Sequence, residues 1–148
     1  MTTTPTFDAR LLGQTEKAAN AILDRLLAGT GVTEPQWVAL SLIATSEEPL
    51  DRSGLAERVA GALKHGEADA RARVSELVDA RLIDSPDDPG SPVTLTGEGQ
   101  RLYAAVRGQV VEITRRLWGD LPPEDLAAAG RVLSTVLARA ESELCAIG

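Results

Sequence analysis

Eight consecutive residues, Ser85-Pro86-Asp87-Asp88-Pro89-Gly90-Ser91-Pro92, leave the chain little choice but to turn. Proline fixes φ and removes a donor, Asp and Ser bond their own backbone, and glycine reaches positive φ. On one side stands the apolar pair Leu82-Ile83, on the other the β-branched, alternating run Val93-Thr94-Leu95. This order is strand, hairpin tip, strand. Elsewhere the apolar residues recur at helical spacing. The chain is therefore expected to be mainly α with one small β hairpin.

The start and stop signals divide the rest into six helices. The first is expected from Asp8 to Ala28, with a stripe of Phe7, Leu11, Ala18, Ile22 and Leu26, ended by Gly29-Thr30-Gly31. Thr33-Glu34-Pro35-Gln36 opens the second: Thr33 caps, Gln36 closes a capping box and Pro35 fits the first turn. Its buried stripe is Trp37, Leu40, Ile43 and Ala44. Asp51 caps a third helix carrying Leu55, Ala56, Val59 and Leu63, with Gly66 placed to stop it. The fourth runs from Glu67 to Ala80 on a core stripe of Ala70, Val74, Leu77 and Val78. After the hairpin, Thr96 caps a long fifth helix, 97–118, aligning Leu102, Val106, Val110, Ile113 and Leu117. Pro122-Pro123-Glu124-Asp125 starts a sixth, with Leu126, Leu133, Val136, Leu137, Ala140 and Leu144 on one side.

Residues 33–96 make a core of about 65 residues, small but able to close. The helices from the two chain ends, 7–28 and 97–146, carry apolar stripes that so small a core cannot all cover. Packing against the same helices of a second copy, in a twofold dimer, is the simplest way to bury them. The chain is 43% hydrophobic and has a formal net charge of −7, which argues against loose attachment to nucleic acid or anionic lipid but leaves room for a local basic surface. One cysteine (Cys145) and one histidine (His65) give no internal disulfide, no metal cluster and no nucleophile–base pair. There is no Gly-rich phosphate loop either, so neither an enzyme nor a cofactor is expected. Met1 to Thr6 has no basic or apolar targeting region, and no apolar run approaches a membrane span of about 18 residues. A cytoplasmic protein with no membrane partner is the expectation.

Five segments then resemble, in order, the MarR family of bacterial transcriptional regulators. They are TEPQWVALSLIA (33–44), LDRSGLAERVAGAL (50–63), ARVSELVDARLID (72–84), VTLTGEGQRL (93–102) and LPPEDLAAAGRVLSTVLARAE (121–141). The resemblance spans nearly the whole chain as a single domain, 1–148. It implies a winged helix-turn-helix core (33–96) flanked by dimerisation helices. In function it implies a homodimeric repressor that binds a palindromic site on double-stranded DNA and responds to a small-molecule effector. The alternative is a ligand-sensing or protein-interaction module that keeps the fold and binds DNA weakly or not at all.

On that resemblance helix 67–80 reads the major groove and residues 81–96 form the wing. The chain departs from the family in three places. Arg81 stands where glycine is usual, the wing tip lacks the usual arginine, and the interval from LAER to ARLI is about four residues long in excess, as if the third helix ran one turn further. The expected DNA contacts are Arg52, Lys64, His65, Arg71, Arg73 and Ser75; Trp37 is the candidate effector contact. Projected at roughly 100° per residue, the fourth helix turns Ala68, Asp69, Ala72, Glu76 and Asp79 outward, with Arg71 and Arg73 on opposite flanks. If these two arginines do not meet DNA, their expected partners are Glu67 and Asp69. Between residues 51 and 101 there are seven basic and ten acidic side chains, an acidic balance for a surface that should meet a polyanion.

Overall fold

The computed structural model describes residues 4–148; the first three residues, part of the segment read for a targeting signal, lie outside the described residues. The elements are α1 (Ala9–Leu27), α2 (Glu34–Thr45), α3 (Arg52–Leu63), α4 (Glu67–Asp79), β1 (Ile83–Asp84), β2 (Thr94–Leu95), α5 (Gly97–Trp118) and α6 (Pro123–Ile147). They divide into two compact units, one ending at Val110 and one spanning Val111–Gly148.

In the first unit α2 is the hub, packed against α1, α3, α4 and β2. Its start is the expected capping box: Gln36 N donates to Thr33 Oγ1, and Thr33 N donates to Gln36 Oε1 at 3.0 Å. Leu40, Leu55, Val59, Val74 and Leu77 are fully buried together, each contributing about 1.5–3 kcal/mol of apolar burial. Being enclosed on several sides, α2 does not bury the single stripe read from its spacing. Ala39 is fully buried, while Ile43 is half-buried and Ala44 exposed. Of the α1 stripe, Phe7, Leu11 and Ala18 are exposed in the single chain and Ile22 and Leu26 half-buried, and α1 reaches the core through Leu27 and Leu23 near its C-terminal end.

Gly66 does not stop α3. The helix closes at Lys64, which takes the left-handed conformation (φ 57°), and Gly66 (φ −66°) is the N-cap of α4. The Lys64 and His65 N–H groups both donate to the Ala60 carbonyl, so the helix end is satisfied without glycine. α4 ends in the same way. Arg81 is left-handed (φ 61°), its N–H donates to Val78 O at 3.0 Å, and Leu82 N donates to Leu77 O at 3.1 Å. This pair of bonds is a Schellman closure, whose left-handed position glycine fills most readily. Both left-handed residues are basic and sit at helix C-termini, where a cation is favourable. That offsets part of a strain of about 1–2 kcal/mol. Arg81→Gly is therefore expected to raise stability by about 0.5–1 kcal/mol, read as a thermal midpoint higher by about 2–4 °C. A lower midpoint would show that Arg81 contributes more by charge than it costs in strain.

The hairpin is as short as its apolar runs, with Ile83 opposite Leu95 and Asp84 opposite Thr94. Val93 is buried, and its N–H donates to Leu50 O at 2.8 Å, tying the returning strand to the segment before α3. Thr96 caps α5 through Gly99 N (3.0 Å) and donates its hydroxyl to Arg81 O (2.6 Å). The first turn of α5 stands so close to the hairpin that a Cβ on Gly99 would lie 2.0 Å from Leu82 O.

The second unit consists of the last turns of α5 and the whole of α6. Glu124 and Asp125 occupy the first turn of α6, where acidic residues suit the helix dipole. None of the 25 residues of α6 is buried. Leu126, Val132, Leu133, Leu137 and Leu144 are exposed, as are Leu117 and Trp118 at the end of α5.

Candidate nucleic-acid interface

α3 and α4 pack on each other and are joined by the turn Lys64-His65-Gly66, a helix-turn-helix pair followed at once by the hairpin. Both Lys64 and His65 are exposed at that turn. α4 is held down by Ala70, Val74 and Leu77, which leaves Ala68, Asp69, Arg71 and Asp79 exposed.

The two flanks of α4 differ. On one, Arg71 pairs with Glu67 at 3.4 Å, the expected partner, with both side chains more than half exposed. Farther along that flank, Arg52 Nη2 at the start of α3 donates to Ser75 Oγ at 2.8 Å. Arg52, Arg71 and Ser75 thus share one side of the helix pair. On the other flank, Arg73 does not meet Asp69. Its Nη2 lies 2.9 Å from Glu76 Oε1, and Glu76 Oε2 accepts from Gln36 Nε2 at 2.7 Å. Glu76 is accordingly removed from the outward set read by projection: it is half-buried and turned toward the start of α2. The reason is tertiary. Gln36, already fixed by its capping box, presents its amide to the carboxylate. The Arg73 Nε is buried without a hydrogen-bond partner.

A cleft of about 240 Å³ separates the start of α3 from the hairpin tip, lined by Asp51, Arg52 and Ser53 on one side and residues 86–91 on the other. Arg52 therefore stands between the helix pair and a tip that carries Asp87 and Asp88 and no basic residue. Trp37 is buried, 8% exposed, and stacks on Tyr103 of α5 with centroids 5.1 Å apart and rings 19° from parallel. Tyr103 lies beside the aliphatic stripe that defines α5 in the sequence, and nothing in its spacing marks it.

No family model matches the chain, and no curated protein matches it in sequence. Solved structures do match its fold. A MarR protein from Peptoclostridium difficile aligns over 100% of this chain and 98% of its own, at 17% identity and a TM-score of 0.76. The S. aureus MepR–DNA complex aligns over 90% of this chain and 96% of its own, at 20% identity and a TM-score of 0.75. CouR from Rhodococcus jostii, bound to p-coumaroyl-CoA, aligns over 85% and 88%, at 19% identity and a TM-score of 0.71. The chain has the winged-helix fold of the MarR-family regulators. In that fold α3–α4 is the helix-turn-helix and the β1–β2 hairpin is the wing. No helix among the described residues is long and apolar enough to cross a membrane.

Proposed function

We propose that this chain is a DNA-binding transcriptional regulator: a homodimeric, cytoplasmic repressor of a palindromic operator whose affinity a small molecule modulates. The observation that carries the reading is the helix-turn-helix pair with Arg52, Arg71 and Ser75 along one flank of α4, in a fold shared with a protein solved on DNA. Lys64 and His65 at the turn extend the contact surface, with Arg73 the remaining candidate. The winged core of 33–96 supplies the reading head of a single regulator domain, and 7–28 and 97–146 supply the dimer contacts. The effector reading takes its support from the ligand-bound structural neighbour; Trp37, buried and stacked on Tyr103, belongs to the core of the first unit. The chemistry proposed is binding, with no catalytic step.

The test is a gel shift at low salt on the DNA upstream of the chain's own coding region. A discrete shift that specific competitor abolishes supports the reading. No shift on that DNA or on random duplex overturns it and favours the interaction-module alternative, which the acidic tip and the acids of α4 also suit. The same assay examines the wing. Asp87→Ala with Asp88→Ala is expected to leave binding intact or strengthen it modestly, most at low salt, because two acids near phosphate are removed. A clear loss would mean that these aspartates fix the turn or contact a base.

A further inference from the structure

A polar chain runs from the start of α2 to the second turn of α4 and ends on Arg73, the remaining candidate for a DNA contact. Thr33 and Gln36 hold each other in the capping box, Gln36 Nε2 donates to Glu76 Oε2, and Glu76 Oε1 receives Arg73 Nη2. The Gln36–Glu76 link joins residues 40 apart in sequence, so the carboxylate is fixed by the tertiary structure and not by its own helix. Arg73 is correspondingly constrained: its side chain is 35% exposed, against 65% for Arg71. A guanidinium 2.9 Å from a carboxylate that a second helix fixes in place adds little net charge to a surface and releases few counterions on meeting a phosphate. The exposed Arg71–Glu67 pair at 3.4 Å, by contrast, is free to open.

We propose that Glu76 is a positioning residue that restrains Arg73 and so limits sequence-independent binding of the recognition helix to DNA. The inference rests on the regulator reading above. Binding driven by phosphate neutralisation is indifferent to sequence, whereas base contacts discriminate. A chain that withholds one arginine per subunit from the phosphates lowers its affinity everywhere and keeps the contrast that the remaining flank of Arg52, Arg71 and Ser75 can generate. The local acid excess, three charges between residues 51 and 101, acts in the same direction.

The experiment compares wild type, Glu76→Gln, Arg73→Gln and the double variant on random-sequence duplex across a salt series. Glu76→Gln keeps an oxygen that can accept from Gln36, so the fold is retained while the charge that holds Arg73 is lost. Asp69→Asn removes an equal charge from an exposed position on the same helix and serves as the control. If Arg73 is freed, each dimer gains about two phosphate contacts, and the log–log salt slope steepens by about 2. Glu76→Gln then loses about tenfold more affinity than wild type between 50 and 200 mM salt. The gain should be absent from Asp69→Asn and from the double variant. A second readout needs no DNA: the buried Arg73 Nε–H should exchange with solvent faster in Glu76→Gln than in wild type.

Equal gains in Glu76→Gln and Asp69→Asn, or a gain that survives in the double variant, would mean simple loss of negative charge and overturn the inference. So would an unchanged salt slope or an unchanged Nε–H exchange rate. Those failures leave wild-type operator binding intact. Absence of DNA binding by wild type and Glu76→Gln alike overturns the regulator reading and the inference with it.

Discussion

Gly99→Ala is expected to destabilise the first compact unit by about 2–3 kcal/mol, the range for overpacking a tight contact, and to lower its thermal midpoint by about 5–10 °C. The added Cβ would lie 2.0 Å from the Leu82 carbonyl oxygen, a backbone atom that cannot rotate away. Either α5 lifts off the hairpin or β1 shifts. Both movements disturb the bonds that meet there, Thr96 N to Leu82 O at 3.0 Å and the Thr96 hydroxyl to Arg81 O. The control lies in the same helix: nothing stands within 4 Å of a Cβ at Gly108. Gly108→Ala should therefore stabilise by about 0.5–1 kcal/mol, through the lost backbone entropy of glycine in a helix interior. One methyl group thus has opposite signs at two glycines nine residues apart. Equal midpoints for the two variants would show that α5 tolerates displacement from the hairpin, and that the wing is not fixed by this contact.

What the sequence made legible was local. Thr33, Asp51 and Thr96 were readable as caps from residue type, and each accepts from a backbone N–H three residues on; Asp8, expected as the first helical residue, is a fourth such cap. The turn-forming run at 85–92 located the hairpin, while the paired residues, Ile83-Asp84 and Thr94-Leu95, each begin one residue after the runs that start at Leu82 and Val93. What failed was the placing of faces where several elements converge. α2 is enclosed by four neighbours, so Ala39 is buried and Ala44 exposed against the single-stripe reading. The left-handed helix end at Lys64 was hidden, and that at Arg81 was marked only by the glycine usual there in the resembled family. The backbone bonds that stabilise them are a property of the closed turn, whereas glycine is the only residue whose type announces them.

The candidate site divides along the same line. Arg71 with Glu67 is a contact four residues apart on one helix and was legible from spacing. Arg52 with Ser75 and Gln36 with Glu76 join residues 23 and 40 apart, and no helical projection can report them. The sequence marks Gln36 only for its capping role. Its Oε1 does satisfy Thr33, and it is the other end of the same amide that reaches Glu76 and takes that acid out of the outward face. An amide's two ends allow one residue to close a helix start and bridge to another helix, a duality that a cap signature does not reveal.

If the proposed homodimer packs through α6, Leu133→Asp and Leu137→Asp are each expected to abolish it at micromolar concentrations while leaving the helical content of the chain unchanged. The two leucines are 42% and 55% exposed in the single chain, so a carboxylate at either place disrupts no core of its own subunit. The cost arises only when a second copy covers them. An unpaired charge buried at an interface costs several kcal/mol, and twofold symmetry places two such charges in each dimer. Association should weaken on the order of a thousandfold or more. Ser142→Asp is the control, since at 100° per residue it falls on the side of α6 opposite the Leu133–Leu137 stripe; it should leave the assembly unchanged. Light scattering separates the outcomes, with circular dichroism to confirm that each variant is folded. If both leucine variants keep the wild-type mass, α6 is not the dimer face and the exposed stripe needs another occupant. If they become folded monomers, affinity for the proposed palindromic operator should fall with the dimer, because such a site is read by two copies and a lone subunit retains only the contacts of one half-site.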